Sequence, residues 1–286
     1  MSRKLGVAGI QMHVVHGKDN TEAMLKKLNT VADLFPWVDI ICFSELCMSG
    51  LDMNQAMPIP NPSLDQIIAW ARKNKKWIIP GSVYEKEKDK IYNTSLVISP
   101  KGKIVAKYRK LFPWRPLEET EAGEDFCIFD IPGKGRFGLC ICYDVWFPEV
   151  TRSLAWMGAE AVFCPTATYT SDRAQEMIMA QANAISNQLY LFNINGLGVG
   201  GIGQSIFVDP EGRVLQTSGE SEIIMTEILD LDHTTRVREY GTMGQCQVWK
   251  ALADFKGRFP VYQEDILKGD IFKSIGPLKL HKKIGK

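Results

Sequence analysis

Gly138-Leu139-Cys140-Ile141-Cys142-Tyr143-Asp144-Val145-Trp146-Phe147-Pro148-Glu149-Val150 decides how the chain is read. Residues 137–141 are apolar and β-favouring, so they read as a short buried strand. Pro148 is a favoured first helical residue, and Glu149 puts an acid in the first turn. Cys142 therefore falls where a strand gives way to a helix across a short turn. A side chain there is held by a rigid frame yet faces a cleft. Nearby backbone N–H groups can lower a thiol pKa or hold an oxyanion. The competing reading is a buried structural cysteine, because a free Cys usually packs as a small hydrophobe.

Outward from this stretch the chain alternates between the two regular periods. Residues 5–15 are apolar and β-rich. Asp19-Asn20 offers a cap for a helix over residues 21–34, with Met24, Leu25, Leu28 and Val31 on one face. Residues 38–43 read as a second buried strand ending at Ser44-Glu45, and Asn61-Pro62-Ser63 opens another helix. Residues 77–83 read as a third strand, and 91–98 pairs with 104–108 across a Ser99-Pro100-Lys101-Gly102-Lys103 turn. Strands 126–131 and 137–141 flank Pro132-Gly133-Lys134-Gly135. A helix through Trp156, a strand at 161–164, a longer helix from about 171 to 187 and a strand at 189–194 follow. Strands at 205–208, 213–216 and 223–229 come next, then short helices near Arg236 and over 248–255. Helices between strands, with hairpins interspersed, argue for α/β layers on a mixed sheet. Residues 1–262 read as one domain, and 263–286 as a C-terminal tail.

Composition narrows the function. Of 286 residues, 45% are hydrophobic and 23% charged, an ordinary globular balance with enough chain for a large core. A net charge of +1 gives no electrostatic case for nucleic acid or an anionic membrane. No apolar run approaches the roughly 20 residues of a membrane span. Residues 1–7 lack the apolar core of a signal peptide and enter a strand at once. Seven cysteines (Cys42, Cys47, Cys127, Cys140, Cys142, Cys164 and Cys246), an odd number in a long chain, suggest a reducing cytoplasm. The four histidines are scattered and none pairs with a cysteine at zinc-finger spacing, so no metal is expected. Gly196-Leu197-Gly198-Val199-Gly200-Gly201 matches GxGxxG, but the residues after it read as a strand. A dinucleotide fingerprint needs a helix there, so no nucleotide cofactor is expected.

Three residues line up: Glu45 at the end of a buried strand in Phe43-Ser44-Glu45-Leu46, Lys110 between Lys107-Tyr108-Arg109 and Leu111-Phe112-Pro113-Trp114, and Cys142 at its strand-to-helix turn. Singly, a loop acid and one lysine among three cations read as solvated surface. Together they are a chemical set. In their order the whole chain, from the first strand to about Tyr262, resembles the nitrilase superfamily of carbon–nitrogen hydrolases. The matching motifs are Ser44-Glu45-Leu46 with Gly50, Tyr108-Arg109-Lys110, and Ile141-Cys142-Tyr143-Asp144 with Phe147-Pro148-Glu149. Gly203-Gln204-Ser205 before Asp209-Pro210-Glu211-Gly212, and Tyr240-Gly241-Thr242-Met243, extend the match. The resemblance implies an α-β-β-α sandwich and a homodimer or higher homo-oligomer in which two sandwiches pack helix layer to helix layer.

It also implies a Glu–Lys–Cys triad: Glu45 as base, Cys142 as nucleophile and Lys110 as electrostatic stabiliser. An unperturbed thiol is only a few per cent thiolate at neutral pH, so a carboxylate to take its proton and an ammonium to compensate the oxyanion are what the chemistry needs. The Tyr143 N–H would be the second oxyanion donor. Glu118, eight residues after Lys110 and beside Glu119, matches the second glutamate of amidase-type members, which orients substrate and lysine. Trp146, Tyr169 and Met177 are candidates for the pocket wall, and Cys140 for the core.

The expected activity is cofactor-free hydrolysis of a small carboxamide through a Cys thioester. The alternatives are an N-carbamoyl hydrolase, which would need a cation such as Arg173 for the substrate carboxylate, and a nitrilase. A non-catalytic binding protein on the same fold conflicts with the intact set, and a thiol redox protein lacks a CxxC partner. Nitrile-hydrolysing members typically carry Trp-Glu after the nucleophile, where this chain has Tyr143-Asp144. Amides should therefore be turned over faster than matched nitriles. Ammonia release from butyramide beside butyronitrile checks this, and a faster nitrile rate would reverse it.

Overall fold

The first strand shows why the chain layers as it does. In Lys4–Gln11, Leu5 and Val7 point to one face while Ala8 and Ile10 point to the other, and all four are fully buried. Ile40–Phe43 repeats the pattern, with Ile40 and Cys42 on one side and Ile41 and Phe43 on the other. A strand covered on both faces must lie inside a layered structure. The computed structural model, which describes residues 2–263, 270–275 and 278, has that architecture.

A seven-stranded sheet runs in the order Ile223–Asp230, Lys4–Gln11, Ile40–Phe43, Trp77–Ile79, Lys90–Ile98, Ser82–Glu87, and Ile104–Arg109 also pairs with Lys90–Ile98. A six-stranded sheet runs Val214–Thr217, Ile206–Val208, Tyr190–Asn195, Ala161–Thr166, Gly135–Leu139, Cys127–Ile131. Both are mixed: the central neighbours are parallel and the flanking pairs antiparallel. Leu5, Val7, Ile40 and Val97 of the first sheet pack with Phe137, Phe163, Phe192 and Phe207 of the second. Gly9 sits at this interface, where a Cβ would come within 2.7 Å of the Phe207 ring. Helices Thr21–Leu34 and Pro62–Asn74 bury Met24, Leu28, Leu64 and Ile67 on the outer face of the first sheet. Helices Pro148–Trp156 and Arg173–Asn187 pack against the second. The result is the expected α-β-β-α sandwich.

Several boundaries differ from the sequence expectation. The strand expected over 77–83 breaks after Ile79, because Gly81 has a φ of +76° and a Cβ there would strike the Ser44 carbonyl. The turn after the nucleophile stretch is a 3-10 helix, Cys142–Trp146, which runs to Phe147 before the α-helix opens at Pro148. Asn20 does not cap its helix with its side chain; Asp19 accepts from the Thr21 N–H at 2.8 Å instead. The glycine-rich stretch folds back as a small hairpin, Leu197–Gly198 with Gly201–Ile202, and Ile206–Val208 is a separate strand. No helix opens at its last glycine. Most of the expected tail, 263–286, lies outside the described residues. No helix among the described residues is long and apolar enough to cross a membrane.

Candidate active site

Glu45, Lys110 and Cys142 each follow the C-terminal end of a strand, so the sandwich carries all three to one rim. Backbone bonds across the rim fix them. The Glu45 N–H donates to the Thr166 carbonyl of the opposite sheet at 3.2 Å, and the Lys110 N–H to Asn93 at 2.9 Å. Cys142 has φ +46°, a sparsely populated backbone conformation for a residue with a Cβ and one that recurs at functional sites. Asp144 holds this turn in place. Its carboxylate accepts the Tyr108 hydroxyl at 2.6 Å and the Ile141 and Phe112 N–H groups at 2.9 Å each. One side chain thus ties both flanks of Lys110 to the residue before Cys142.

The polar side chains form one buried cluster. Lys110, 2% exposed, donates to Glu45 at 2.9 Å and to Glu118 at 2.8 Å. Asn93 donates to both carboxylates at 2.8 Å, and the Trp114 N–H donates to Glu118 at 2.9 Å. It is Glu118 that reaches the lysine, at the position expected from sequence. Glu45, Lys110, Glu118 and Cys142 line one cavity of about 280 Å³, whose walls include Tyr84, Trp114 and Tyr169.

The electrostatics follow from two carboxylates sharing one ammonium. Burial, with the charge of Glu118 adding to it, holds Glu45 above the usual carboxylate range in spite of Lys110. Burial acts on Glu118 in the same direction, but the attraction of Lys110 and the hydrogen bonds it receives bring it below that range. Burial opposes the Lys110 charge, yet Glu118 and Glu45 hold its pKa well above the ordinary value. Burial and then Glu45 push the Cys142 thiol well up, against the pull of Lys110. The turn's backbone N–H groups therefore do not bring the thiol pKa down as the sequence suggests: burial and Glu45 outweigh them and Lys110.

Tyr143 and Trp146 line a smaller recess that adjoins the cavity at Cys142, and Tyr169 lines the cavity itself. Met177 instead packs against the apolar core. Cys140 is fully buried, as expected. Arg173 is not a pocket cation. It is 1% exposed, and its two terminal nitrogens donate to Glu176, Asn193 and the Gln204 carbonyl at 2.6–2.7 Å, while its Nε is buried without a hydrogen-bond partner. Sequence reasoning missed Asn93, Trp114, Thr168 and Glu176. Asn93 lies inside a strand and Glu176 inside a helix, where only spatial neighbours give them a role. Among the described residues, the only grouping whose ligand atoms fall within 4.8 Å of one another is Asp209, Glu211 and His233. Protein donors already engage its acids: Asp209 takes the Glu211 and Arg213 N–H groups, and Glu211 takes the Met243 N–H.

The family model described as carbon-nitrogen hydrolase matches residues 6–239. A formamidase of Bacillus cereus is 31% identical over 207 residues, 69% of this chain and 61% of the relative. The match thus spans about three fifths of the formamidase's length. Saccharomyces cerevisiae Nit3, a member of branch 10 of the nitrilase superfamily, superposes with a TM-score of 0.75 at 26% identity, covering 84% of this chain and 94% of Nit3. A carbon-nitrogen hydrolase from Helicobacter pylori shares the fold with a TM-score of 0.76 at 24% identity, covering 94% and 99% of the two chains.

The Asp144 clamp makes a testable statement about stability. Burial, opposed by the Tyr108 hydrogen bond and Lys110, raises this carboxyl from its ordinary 3.8 to about 6. A raised carboxyl favours folding while it stays protonated, so its contribution is fully present below about 4 and is lost as the pH rises through about 6. Asp144→Asn has no such titration. The stability of the wild type relative to Asp144→Asn should therefore fall by roughly 2 kcal/mol between pH 4 and pH 7. Urea unfolding of both proteins at the two pH values measures it, and a constant difference would show that Asp144 does not titrate in this window.

Proposed function

Because the chain belongs to the carbon–nitrogen hydrolase family, we propose that it hydrolyses a small carboxamide to a carboxylate and ammonia through a thioester on Cys142. The observation that carries the reading is the buried Glu45–Lys110–Glu118 cluster in one cavity with the only rim cysteine that is not fully buried. The similarity to formamidase favours a short acyl group.

The chemistry follows from the donors and acceptors present. An ammonium has three N–H donors, and Lys110 spends two on Glu45 and Glu118. The third is available to a substrate oxygen. With the Tyr143 N–H, in the first turn of the 3-10 helix, it forms the proposed oxyanion hole. Glu45, held above the usual carboxylate range, takes the thiol proton as the sulfur attacks. The same carboxyl then gives the proton to the departing nitrogen, and ammonia leaves a thioester. Glu45 next takes a proton from water, whose oxygen attacks the thioester and releases carboxylate and thiol. Glu118 keeps its charge and orients the lysine and the substrate N–H₂.

A carbamoyl amino acid is disfavoured, because its carboxylate would meet no cation other than Lys110 in the cavity lining. Two further parts of the proposal concern setting. Seven free cysteines suit a reducing cytoplasm. The exposed Trp156, Phe259 and Tyr262 cluster offers apolar surface for pairing with a second copy.

Cys142→Ala should abolish ammonia release from amides while leaving the unfolding transition in place; retained release would remove the nucleophile. A second comparison separates Lys110 from its neighbours. Lys107 is 40% exposed and pairs with the buried Glu85 away from this cavity, whereas Lys110 is 2% exposed. Losing one preorganised oxyanion stabiliser commonly costs about 10²–10³ in kcat. Lys110→Met should lower kcat by that order with little change in KM, and Lys107→Met should hardly alter either. Equal, mild effects in steady-state kinetics would dissolve the triad.

A further inference from the structure

Beside the main cavity lies a recess of about 20 Å³, room for one water-sized group, and Cys142 borders both. Glu176, 1% exposed, lines it. Its Oε2 accepts the Thr168 hydroxyl at 2.6 Å and the Arg173 guanidinium at 2.7 Å. Its Oε1 is buried and has no hydrogen-bond partner. A buried carboxylate oxygen left unpaired is costly, so in a working site it calls for a donor. The surroundings state what kind. Asp172 also lines the recess and no Lys or Arg does; the nearby Arg173 is not among its lining residues, and its terminal nitrogens already donate to Glu176 Oε2, Asn193 and Gln204. Trp114, Tyr143 and Trp146 supply aromatic walls, whose faces attract cations.

We propose that Glu176 Oε1 is a specificity subsite for a hydrogen-bond donor on the acyl chain of the substrate, an ammonium above all. The substrate class is then a short amide bearing an amino group close to the carbonyl. The proposal rests on the amidase reading and narrows it. The reach is short. Thr168 Oγ1 lies 3.6 Å from Cys142 Sγ and 2.6 Å from Glu176 Oε2, so one side chain separates the thiol from the subsite. A donor three bonds from the acyl carbon spans that gap, and its size fits the recess. A carboxylate in the same place would meet Glu176 and Asp172 and be repelled.

The test is steady-state ammonia release by the purified protein from three amides of one length: butyramide, 3-hydroxypropanamide and 3-aminopropanamide. The wild type should favour the amino compound over butyramide by at least about tenfold in kcat/KM, since a site built for a donor rejects the analogue that lacks it. A hydroxyl compound equal to the amine would assign the subsite to neutral donors and still support it. Glu176→Gln keeps the shape and removes the charge, so the amine-to-butyramide ratio should collapse toward one, whatever happens to the absolute rates. The wild-type series decides alone if that variant does not fold. Butyramide turned over as well as either analogue would overturn the subsite and leave the amidase reading standing. No ammonia from any of the three would overturn the reading on which the subsite rests.

Discussion

A buried ammonium is the constraint on which the rim of this sandwich depends. Lys110 is almost fully removed from water, and such a charge is tolerated only when paired and hydrogen-bonded. The protein supplies two carboxylates for it, and Asn93 bridges them. That arrangement carries one negative charge in excess. Glu45 is held above the usual carboxylate range, while Glu118, which also accepts the Trp114 N–H, is held below it. Two acids of the same type thereby acquire different behaviour from position alone, which is how a single cluster can contain both a base and a fixed charge.

Backbone geometry translates this into reach. Parallel strands end together, so residues just past Phe43, Arg109 and Leu139 meet although they are far apart in sequence. The meeting is not left to the sheets alone. Glu45 bonds to Thr166 across the gap between them, and Asp144 gathers Tyr108, Phe112 and Ile141. The inter-sheet phenylalanines fill the space below. Cys142 is held at φ +46° because so many contacts fix its neighbours.

This explains what the sequence disclosed and what it withheld. Glu45 and Cys142 were legible because each ends a buried apolar strand, whereas Lys110, one of three neighbouring cations, was legible only as part of the set and through the resemblance. Glu118 was legible only through its spacing from Lys110 and a resemblance. The layered fold was legible from strands such as 38–43, apolar on both faces. What escaped depends on contacts distant in sequence. Asn93 and Glu176 look like ordinary members of a strand and a helix. Arg173 looked like a free cation because its partners Asn193 and Gln204 come from later in the chain. The strand break at Pro80-Gly81 reflects the passage of Ser44, which no local propensity encodes.

The same carboxylate-rich surroundings bear on how the thiol is used. Glu45 and Glu176 both disfavour a thiolate on Cys142, and burial adds to them, so Lys110 alone cannot ionise it. A resting thiolate would be the species most open to oxidation and alkylation. In the proposed reaction the sulfur loses its proton only as it attacks, when the developing oxyanion gives Lys110 a new negative partner. Proton transfer to Glu45 then removes the charge that opposed the lysine's third hydrogen bond and strengthens its hold on the oxyanion. Base and stabiliser are therefore coupled through their own salt bridge, and the substrate oxygen supplies the acceptor for the lysine's third N–H.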